Sequence, residues 1–360
     1  MKPVSLKAGP AAKETHPVLV SAATMAHGFM RSIAIKPYVP RDRRREFGLM
    51  GNFHSMHSIR CQVFREKGAG SMPTIVIAGF VPDSTETIEF QRPLLRRYGS
   101  IYYLNYPRNG FSAEMFSAQL SDLIDDIHAR GAKPLIMSVS FGSGLLVDFL
   151  RQADEHIHEK IRGLLLISPV ICTDDLIRPK GDKRDGIRFL ESSLQKIITA
   201  DPSKQDELEK QVERSRRCFQ ALFAAGAENR VLSSKHLAIR RKIMDVLAHT
   251  SALGGYERVK ALRDLEFPSL HGSVFAGPVL ALMAENEEDI LVPLSPTLSL
   301  FADSSRYTRL FPNCRVKKVI SKNEGDNVPH ASMIFHHDAY NPLLESWYSK
   351  LSAPLLHMAV

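Results

Sequence analysis

Ser140 stands in the sequence context that most clearly suggests chemistry. It lies in Ser138-Val-Ser-Phe-Gly142, directly after an apolar run that ends at Met137 and at the start of a helical pattern. A serine on a tight turn between a strand and a helix needs small residues two positions before and after it, and this segment supplies both. Such a turn would expose the hydroxyl at a helix N-terminus, whose free N–H groups favour developing negative charge. We therefore predict that Ser140 is a nucleophile. The alternative is a small-residue turn that only packs a helix tightly on a sheet.

The segment resembles the nucleophile elbow G-x-S-x-G of the α/β-hydrolase superfamily, with Ser138 in the place of the first glycine. The resemblance covers roughly residues 46–350. It implies a triad in the chain order nucleophile, acid, histidine, with the histidine in the last loop. On this resemblance the triad is Ser140, Asp289 and His330. His330 would take the serine proton, and Asp289 would orient the imidazole.

The acid of this triad is expected in an acidic loop after the apolar run 279–283. Asp289 precedes Ile290-Leu-Val-Pro293, which resembles the start of the next helix in the family. Glu288 and Glu285 are alternatives for the acid. Glu287 belongs to the same acidic loop, and the non-catalytic interpretation is that the whole loop is solvated.

His330 is the expected base because it follows the last apolar run, 316–320, in a loop before the final helical pattern. Pro329 precedes it where a glycine often stands in the family. His336 and His337 compete for the role, but we expect them inside the terminal helix, as surface or capping residues.

The resemblance also implies an oxyanion hole of two backbone N–H groups. One is expected from Phe80, or alternatively Val81, and the other from Phe141. Ala78 stands where the family usually has a histidine. In the turn that follows the apolar run 101–104, we expect Arg108 to be a structural clamp and not a ligand.

The elements that position these residues follow from short apolar runs that alternate with helical patterns. Continuous apolar runs bounded by Gly, Pro or charged residues are typical of strands buried on both faces. Alternation of strand and helix predicts an α/β fold with a mostly parallel sheet flanked by helices. The sequence pattern also favours two short strands, at Phe47–Asn52 and Ser58–Glu66. The runs are 74–78, 101–104, 134–137, 164–167, 279–283 and 316–320.

The alternation is interrupted between residues 171 and 277, where the pattern is mostly helical. An apolar stripe follows Asp201-Pro202 and ends near Gly226. We predict a helical lid at 171–277, inserted between two strands of a hydrolase core at 46–170 and 278–360, with an N-terminal arm at 1–45. The stripe consists of Leu208, Val212, Phe219, Leu222 and Phe223.

Composition excludes several other classes. The chain has 360 residues, 44% of them hydrophobic and 24% charged, so wholesale disorder and a membrane span are disfavoured. The four cysteines are far apart in the sequence, which favours buried free thiols, and two disulfides are the alternative. The N-terminus is a poor signal peptide, which favours a cytoplasmic location.

Cofactors and partners are also predicted from the sequence. No nucleotide-binding glycine motif and no group at metal-ligand spacing is visible, so we expect no organic cofactor and no metal. The net charge of +8 and the basic run 41–45 allow weak contact of the arm with an anionic membrane surface, but a solvated arm is the plainer interpretation. We expect a small-molecule substrate and no nucleic acid, and the oligomeric state stays open.

These observations together predict a serine hydrolase that cleaves an ester, thioester or amide through an acyl-enzyme on Ser140. The apolar lid stripe, with Phe80 and Phe141, favours an acyl or other hydrophobic substrate. An acyltransferase with the same triad is one alternative. A catalytically silent binding protein is another, because Ala78, Ser138 and Pro329 depart from the family pattern.

Overall fold

A computed structural model describes residues 31, 33–50, 56–178, 188–227 and 230–352. Within these ranges eight strands form one sheet in the order β1-β2-β4-β3-β5-β6-β7-β8. β1 and β2 pair antiparallel, as do β2 and β4, and the other neighbours pair parallel. The strands are β1 Ile35–Pro37, β2 Gln62–Glu66, β3 Thr74–Ile77, β4 Ile101–Asn105, β5 Leu135–Val139, β6 Gly163–Ile167, β7 Pro278–Ala284 and β8 Asn313–Val319.

Helices cover both faces of this sheet, and alternate residues of the central strands enter different cores. Ile136 of β5 packs in one hydrophobic cluster, whereas Leu135 and Met137 pack in the other. This arrangement explains the continuous apolar runs of the sequence. The helices are α1 Arg44–Met50, α2 Ser84–Thr87, α3 Arg92–Tyr98, α4 Ala113–Ala129, α5 Phe141–Gln152, α6 Glu155–His158, α7 Arg188–Ile198, α8 Gln205–Ala227, α9 Ser234–His249, α10 Ala252–Arg263, α11 Pro296–Ala302, α12 Ser304–Leu310 and α13 His337–Ser352.

The segment before β2 differs from its prediction. Arg44–Met50 forms helix α1, and not a strand, and packs beside α4. The Arg45 guanidinium donates to Asp122 and Asp125 of α4, which anchors α1 there. Ile35–Pro37 is an edge strand, so the sheet begins within the predicted arm, whose residues 1–30 and 32 lie outside the described residues, as do 51–52 of the predicted strand.

The predicted insertion contains α7 to α10, which follow β6 and precede β7. Helix α8 begins at Gln205 and ends at Ala227, close to both predicted limits of the apolar stripe. Leu208 and Val212 are buried, and Phe219 packs against the hydrophobic core that they belong to. The stripe therefore faces the protein interior. Residues 179–187 and 228–229 of the insertion, and 353–360 of the predicted core, are outside the described part.

The four cysteines are free thiols, as predicted, although Cys314 is half-buried and not buried like the other three. Burial raises the pKa of Cys61 and Cys172 to about 12. Among the described helices, none combines the length and the apolar composition needed to cross a bilayer.

Candidate active site

Ser140 occupies a strained turn between β5 and α5. Its φ is 50° and its ψ is −123°, a backbone conformation that is costly for a residue with a Cβ and that marks functional turns. The Ser140 N–H donates to the Ile167 carbonyl of β6 over 2.9 Å. At Gly142 a Cβ would lie 2.3 Å from the Ala78 carbonyl oxygen, so this position requires glycine. The predicted elbow geometry is therefore present.

Ser138 replaces the first glycine of the elbow pattern without opening the turn. Its hydroxyl lies 2.9 Å from the hydroxyl of Ser143, one turn into α5, and both residues are fully buried. The hydroxyl pair satisfies two buried polar groups. Ser138 thus joins the end of β5 to the first turn of α5.

His330 reaches Ser140 from the loop after β8. Its Nε2 lies 2.9 Å from the Ser140 Oγ. The next residue, Ala331, has φ 54°, and its N–H donates to the Ser168 hydroxyl over 2.9 Å. Ser168, which follows β6 and also has a positive φ of 42°, therefore anchors the histidine loop. Sequence reasoning did not single out Ser168.

The acid beside His330 is Glu287, and this corrects the prediction of Asp289. Glu287 Oε2 lies 2.5 Å from His330 Nδ1, and its other oxygen, Oε1, accepts the N–H of Ala284 over 2.5 Å. Its side chain is 4% exposed. A carboxylate can only accept, so Nδ1 donates to it and Nε2 is left to accept the serine proton.

Asp289 lies two residues further on, in the same single turn of 3-10 helix that begins at Glu287. It is exposed and lines the cavity described below. Partial desolvation of its carboxyl group at the cavity wall raises its pKa, His330 lowers it, and the charges of Glu287 and Glu288 raise it further. Glu288 is exposed and Glu285 half-buried, and neither takes the position beside the imidazole. The sequence has four acids among the five residues 285–289, and no signal separates Glu287 from the others, apart from its position three residues after the last residue of β7.

The loop after β3 is held by residues that sequence analysis did not identify. The Ser84 hydroxyl accepts the Ala78 N–H over 3.1 Å and donates to the Leu104 carbonyl over 2.6 Å. The Tyr106 hydroxyl donates to the Ala78 carbonyl over 2.7 Å. These contacts hold the backbone at the position where the family histidine would stand. The rings of Phe80 and Phe141, the two residues expected to supply the oxyanion donors, stack with centroids 4.2 Å apart.

Arg108 is a clamp, as expected. Both terminal nitrogens of its guanidinium donate to the Asp83 carboxylate, and NH1 also contacts the Tyr106 carbonyl. The two alternative histidines lie elsewhere. His336 contacts Ser332, Asp326 and Arg230, and the ring of His337 stacks on Phe90 at 4.5 Å.

A cavity of about 520 Å³ opens from Ser140 and His330. Its size is typical of small-ligand sites, and its walls are mainly apolar. The sheet side contributes Phe80 and Val139, and Phe335 belongs to the segment after His330. The insertion contributes Leu190, Leu194, Phe219, Leu222, Phe223 and Ile243. We call this space the main cavity. Across the described residues, no cluster of His, Cys, Asp and Glu is arranged to hold a metal ion.

The chain was compared with known proteins. No family model and no curated protein sequence matches it. Solved structures do match. A membrane phospholipase A, described as a bacterial virulence factor, has a TM-score of 0.57 at 13% identity, with 94% of each chain covered. An esterase from Exiguobacterium antarcticum has a TM-score of 0.54 at 12% identity, covering 80% of this chain and 96% of the esterase.

A third solved structure, the haloalkane dehalogenase DatA from Agrobacterium tumefaciens, has a TM-score of 0.52 at 12% identity, covering 89% of this chain and 98% of the dehalogenase. These three proteins are named for different reactions, so the likeness concerns the arrangement of strands and helices and not the chemistry. Together with the mostly parallel eight-stranded sheet and the strained serine turn after β5, the comparison establishes that the chain has the α/β-hydrolase fold.

Proposed function

We propose that the protein is a serine hydrolase that cleaves a carboxylic ester, thioester or amide through an acyl-enzyme on Ser140. One observation carries the proposal: an unbroken hydrogen-bond chain from the Ser140 hydroxyl through His330 to Glu287, with distances of 2.9 and 2.5 Å. A nucleophile, a base within hydrogen-bond reach and a third group that orients the base are the parts that nucleophilic catalysis requires. The likeness to solved structures of esterases supports the same class.

The reaction follows from the direction of these hydrogen bonds. His330 Nε2 takes the proton of Ser140 as Oγ bonds to the substrate carbonyl carbon, and the buried Glu287 carboxylate stabilises the resulting imidazolium. Collapse of the tetrahedral intermediate breaks the bond to the leaving group, which receives the proton from Nε2. A water molecule then gives a proton to Nε2 as its oxygen bonds to the acyl carbon. The bond from that carbon to the Ser140 Oγ breaks, Nε2 returns the proton to Oγ, and the acid product leaves.

The negative charge on the substrate oxygen needs donors in the tetrahedral state. The N–H of Phe141 begins helix α5, where the N–H groups of the first turn have no intrahelical partner. The N–H of Phe80 is the proposed second donor, from the loop that Ser84 and Tyr106 hold. Two backbone donors of this kind are the usual oxyanion hole of the fold.

The walls of the main cavity favour a hydrophobic acyl group. Each methylene that moves from water into such a cavity contributes about 0.8 kcal/mol, or about a fourfold gain in kcat/KM. A chain of several carbons would lie along Phe219, Leu222 and Phe223 of α8. Short, polar acyl groups would leave this surface in contact with water, so we propose that they are poorer substrates.

Labelling with a fluorophosphonate probe, which reacts with activated serines, tests the proposal. We expect the purified protein to be labelled and to hydrolyse p-nitrophenyl esters, with kcat/KM rising as the acyl chain lengthens. Ser140→Ala abolishes both, whereas Ser143→Ala, a nearby buried serine, retains labelling. A folded wild type that is neither labelled nor active would favour a silent binding protein. Rapid ester formation from an added alcohol, in place of acid release, would favour acyl transfer.

A further inference from the structure

Arg258 is a buried cation behind the proposed oxyanion loop. It belongs to α10 of the insertion, and only 4% of the residue is exposed. Among the described residues no carboxylate lies within ion-pair distance of it. The carboxylate whose charge raises its pKa, Asp83, is paired with Arg108. Burial lowers the pKa of Arg258 to about 10, and the Arg108 charge contributes. Burying an unpaired charge costs stability, so its position calls for an explanation.

The hydrogen bonds of Arg258 go to backbone on either side of the site. One terminal nitrogen donates to the Pro107 carbonyl over 2.5 Å, and the other contacts the Phe80 carbonyl at 3.4 Å. The guanidinium lies 5.4 Å from the ring centroid of Tyr106, a cation–π distance. Tyr106 in turn donates to the Ala78 carbonyl. Arg258 therefore contacts Phe80 directly and supports the start of the same loop through Tyr106.

Helix α10 is fixed on the core, which fixes the backbone position from which the Arg258 side chain extends. Its N-cap, Ser251, donates to the Arg108 carbonyl over 2.9 Å, and the Glu257 carboxylate accepts the Phe111 N–H over 2.5 Å. At Gly254 a Cβ would lie 2.2 Å from the Arg108 carbonyl oxygen, so the helix approaches the turn after β4 as closely as backbone allows. The helix that carries Arg258 is thus held at several points along its length.

Arg258 does not line the main cavity. It lines a smaller space of about 50 Å³ on the other side of Phe80, together with Val212, Phe219 and Val259. We call this space the second cavity. A substrate in the main cavity would be separated from the guanidinium by Phe80. Arg258 is therefore placed to act on the loop and not on the substrate.

We propose that Arg258 is a positioning residue. It holds the Phe80 carbonyl, which restricts the backbone of Phe80 and keeps the Phe80 N–H facing the oxyanion at Ser140. The inference rests on the proposed function. Small displacements of an oxyanion donor weaken binding of the transition state more than binding of the substrate. Loss of Arg258 therefore lowers kcat and leaves KM nearly unchanged. The contact of Arg258 with Phe80 also couples the insertion to catalysis, since α10 is the last helix of the insertion.

The test compares Arg258→Met and Arg258→Lys with Arg263→Met, which removes an exposed arginine from the same helix. We expect kcat on a p-nitrophenyl ester to fall by about 10- to 100-fold in Arg258→Met, below the loss for a missing oxyanion donor. The decrease is smaller in Arg258→Lys, which keeps the charge but not the fork of donors. KM changes less than about threefold in both, and Arg263→Met behaves as wild type.

A second readout separates positioning from general damage. A boronic acid forms a negatively charged tetrahedral adduct on an active serine, whereas the carboxylic acid product resembles the ground state. We expect the inhibition constant of the boronic acid to rise in proportion to the loss of kcat/KM, and that of the product to stay constant. Thermal unfolding of every variant verifies folding.

If the wild type is active, Ser140→Ala is inactive and the Arg258 variants keep wild-type kcat, the positioning role is overturned and the proposed function stands. Equal losses of boronic acid and product affinity, or variants that all fail to fold, show a structural role and overturn it as well. An inactive, unlabelled wild type overturns both the positioning role and the proposed function.

Discussion

His330 Nδ1 lies 2.5 Å from Glu287 Oε2, and the Glu287 side chain is almost completely buried. The second oxygen of the carboxylate is held by the Ala284 N–H at the end of β7. Both oxygens thus have donors, and the imidazole has one favoured orientation. Asp289, by contrast, is exposed at the wall of the main cavity.

The first prediction separates these two acids. Glu287→Gln keeps the side-chain shape but cannot stabilise an imidazolium and allows the wrong tautomer of His330. We expect kcat to fall by about 10⁴-fold, the loss found when the acid of such a triad is replaced by its amide. Asp289→Asn, the matched control, changes kcat less than about threefold, because a surface carboxylate contributes little. Ester hydrolysis by folded variants measures both, and a larger loss in Asp289→Asn would restore Asp289 to the triad.

The second prediction concerns the departure from the elbow pattern at Ser138. Ser138→Gly introduces the family residue but leaves the buried Ser143 hydroxyl without its partner. We expect activity within about twofold of wild type and a decrease in the free energy of unfolding of about 1–3 kcal/mol. Urea unfolding measures the decrease in the free energy of unfolding. Because Ser143→Ala removes the other partner, the double variant should lose less stability than the sum of the single variants. Strict additivity would contradict the hydroxyl pair.

The third prediction concerns Phe219, which lies between the two cavities. Phe80, Val81, Leu194 and Phe219 line both the main and the second cavity. Phe219→Ala joins them, so the preferred acyl chain becomes longer, with about a fourfold gain in kcat/KM per added methylene that is buried. Phe219→Trp fills space and shifts the preference to shorter chains. A series of p-nitrophenyl esters measures the shift, and an unchanged length preference in both variants would place the acyl chain elsewhere.

The fourth prediction is a loss of stability in mild acid. Burial lowers the pKa of His236, His336 and His337 from 6.5, and the Arg230 charge lowers that of His336 further. These bases bind protons more readily in the unfolded chain, so their contribution to the free energy of unfolding is complete above pH 6.5 and is lost as the pH falls below that value. The pKa of Asp326 is lowered as well, from 3.8, so its contribution to the free energy of unfolding is lost only in stronger acid.

Urea unfolding from neutral pH down to about pH 5 measures this dependence. We expect the slope to decrease when His236, His336 and His337 are all replaced by Gln. His271→Gln, at an exposed position, leaves the slope unchanged. An undiminished slope in the triple variant would assign the acid sensitivity to other groups.

The sequence by itself predicted the six main strands, the helical insertion, the elbow at Ser140 and the histidine at position 330. These features are local or ordered along the chain: apolar runs mark buried strands, and small residues around Ser140 mark a tight turn. The N-terminal segment was predicted wrongly where contacts with α4, and not local pattern, decide the structure. Arg45 binds Asp122 and Asp125 there, and Arg44–Met50 is helical.

Only the tertiary structure decided which acid faces His330 and what supports the loop after β3. Glu285, Glu287, Glu288 and Asp289 have similar chemistry, and the direction of each side chain depends on how the turn after β7 meets the histidine loop. Arg258 lies far along the chain from Phe80, and no local pattern relates an arginine of an inserted helix to that loop. Side-chain direction and contacts between distant segments are set by packing, which a one-dimensional pattern does not contain.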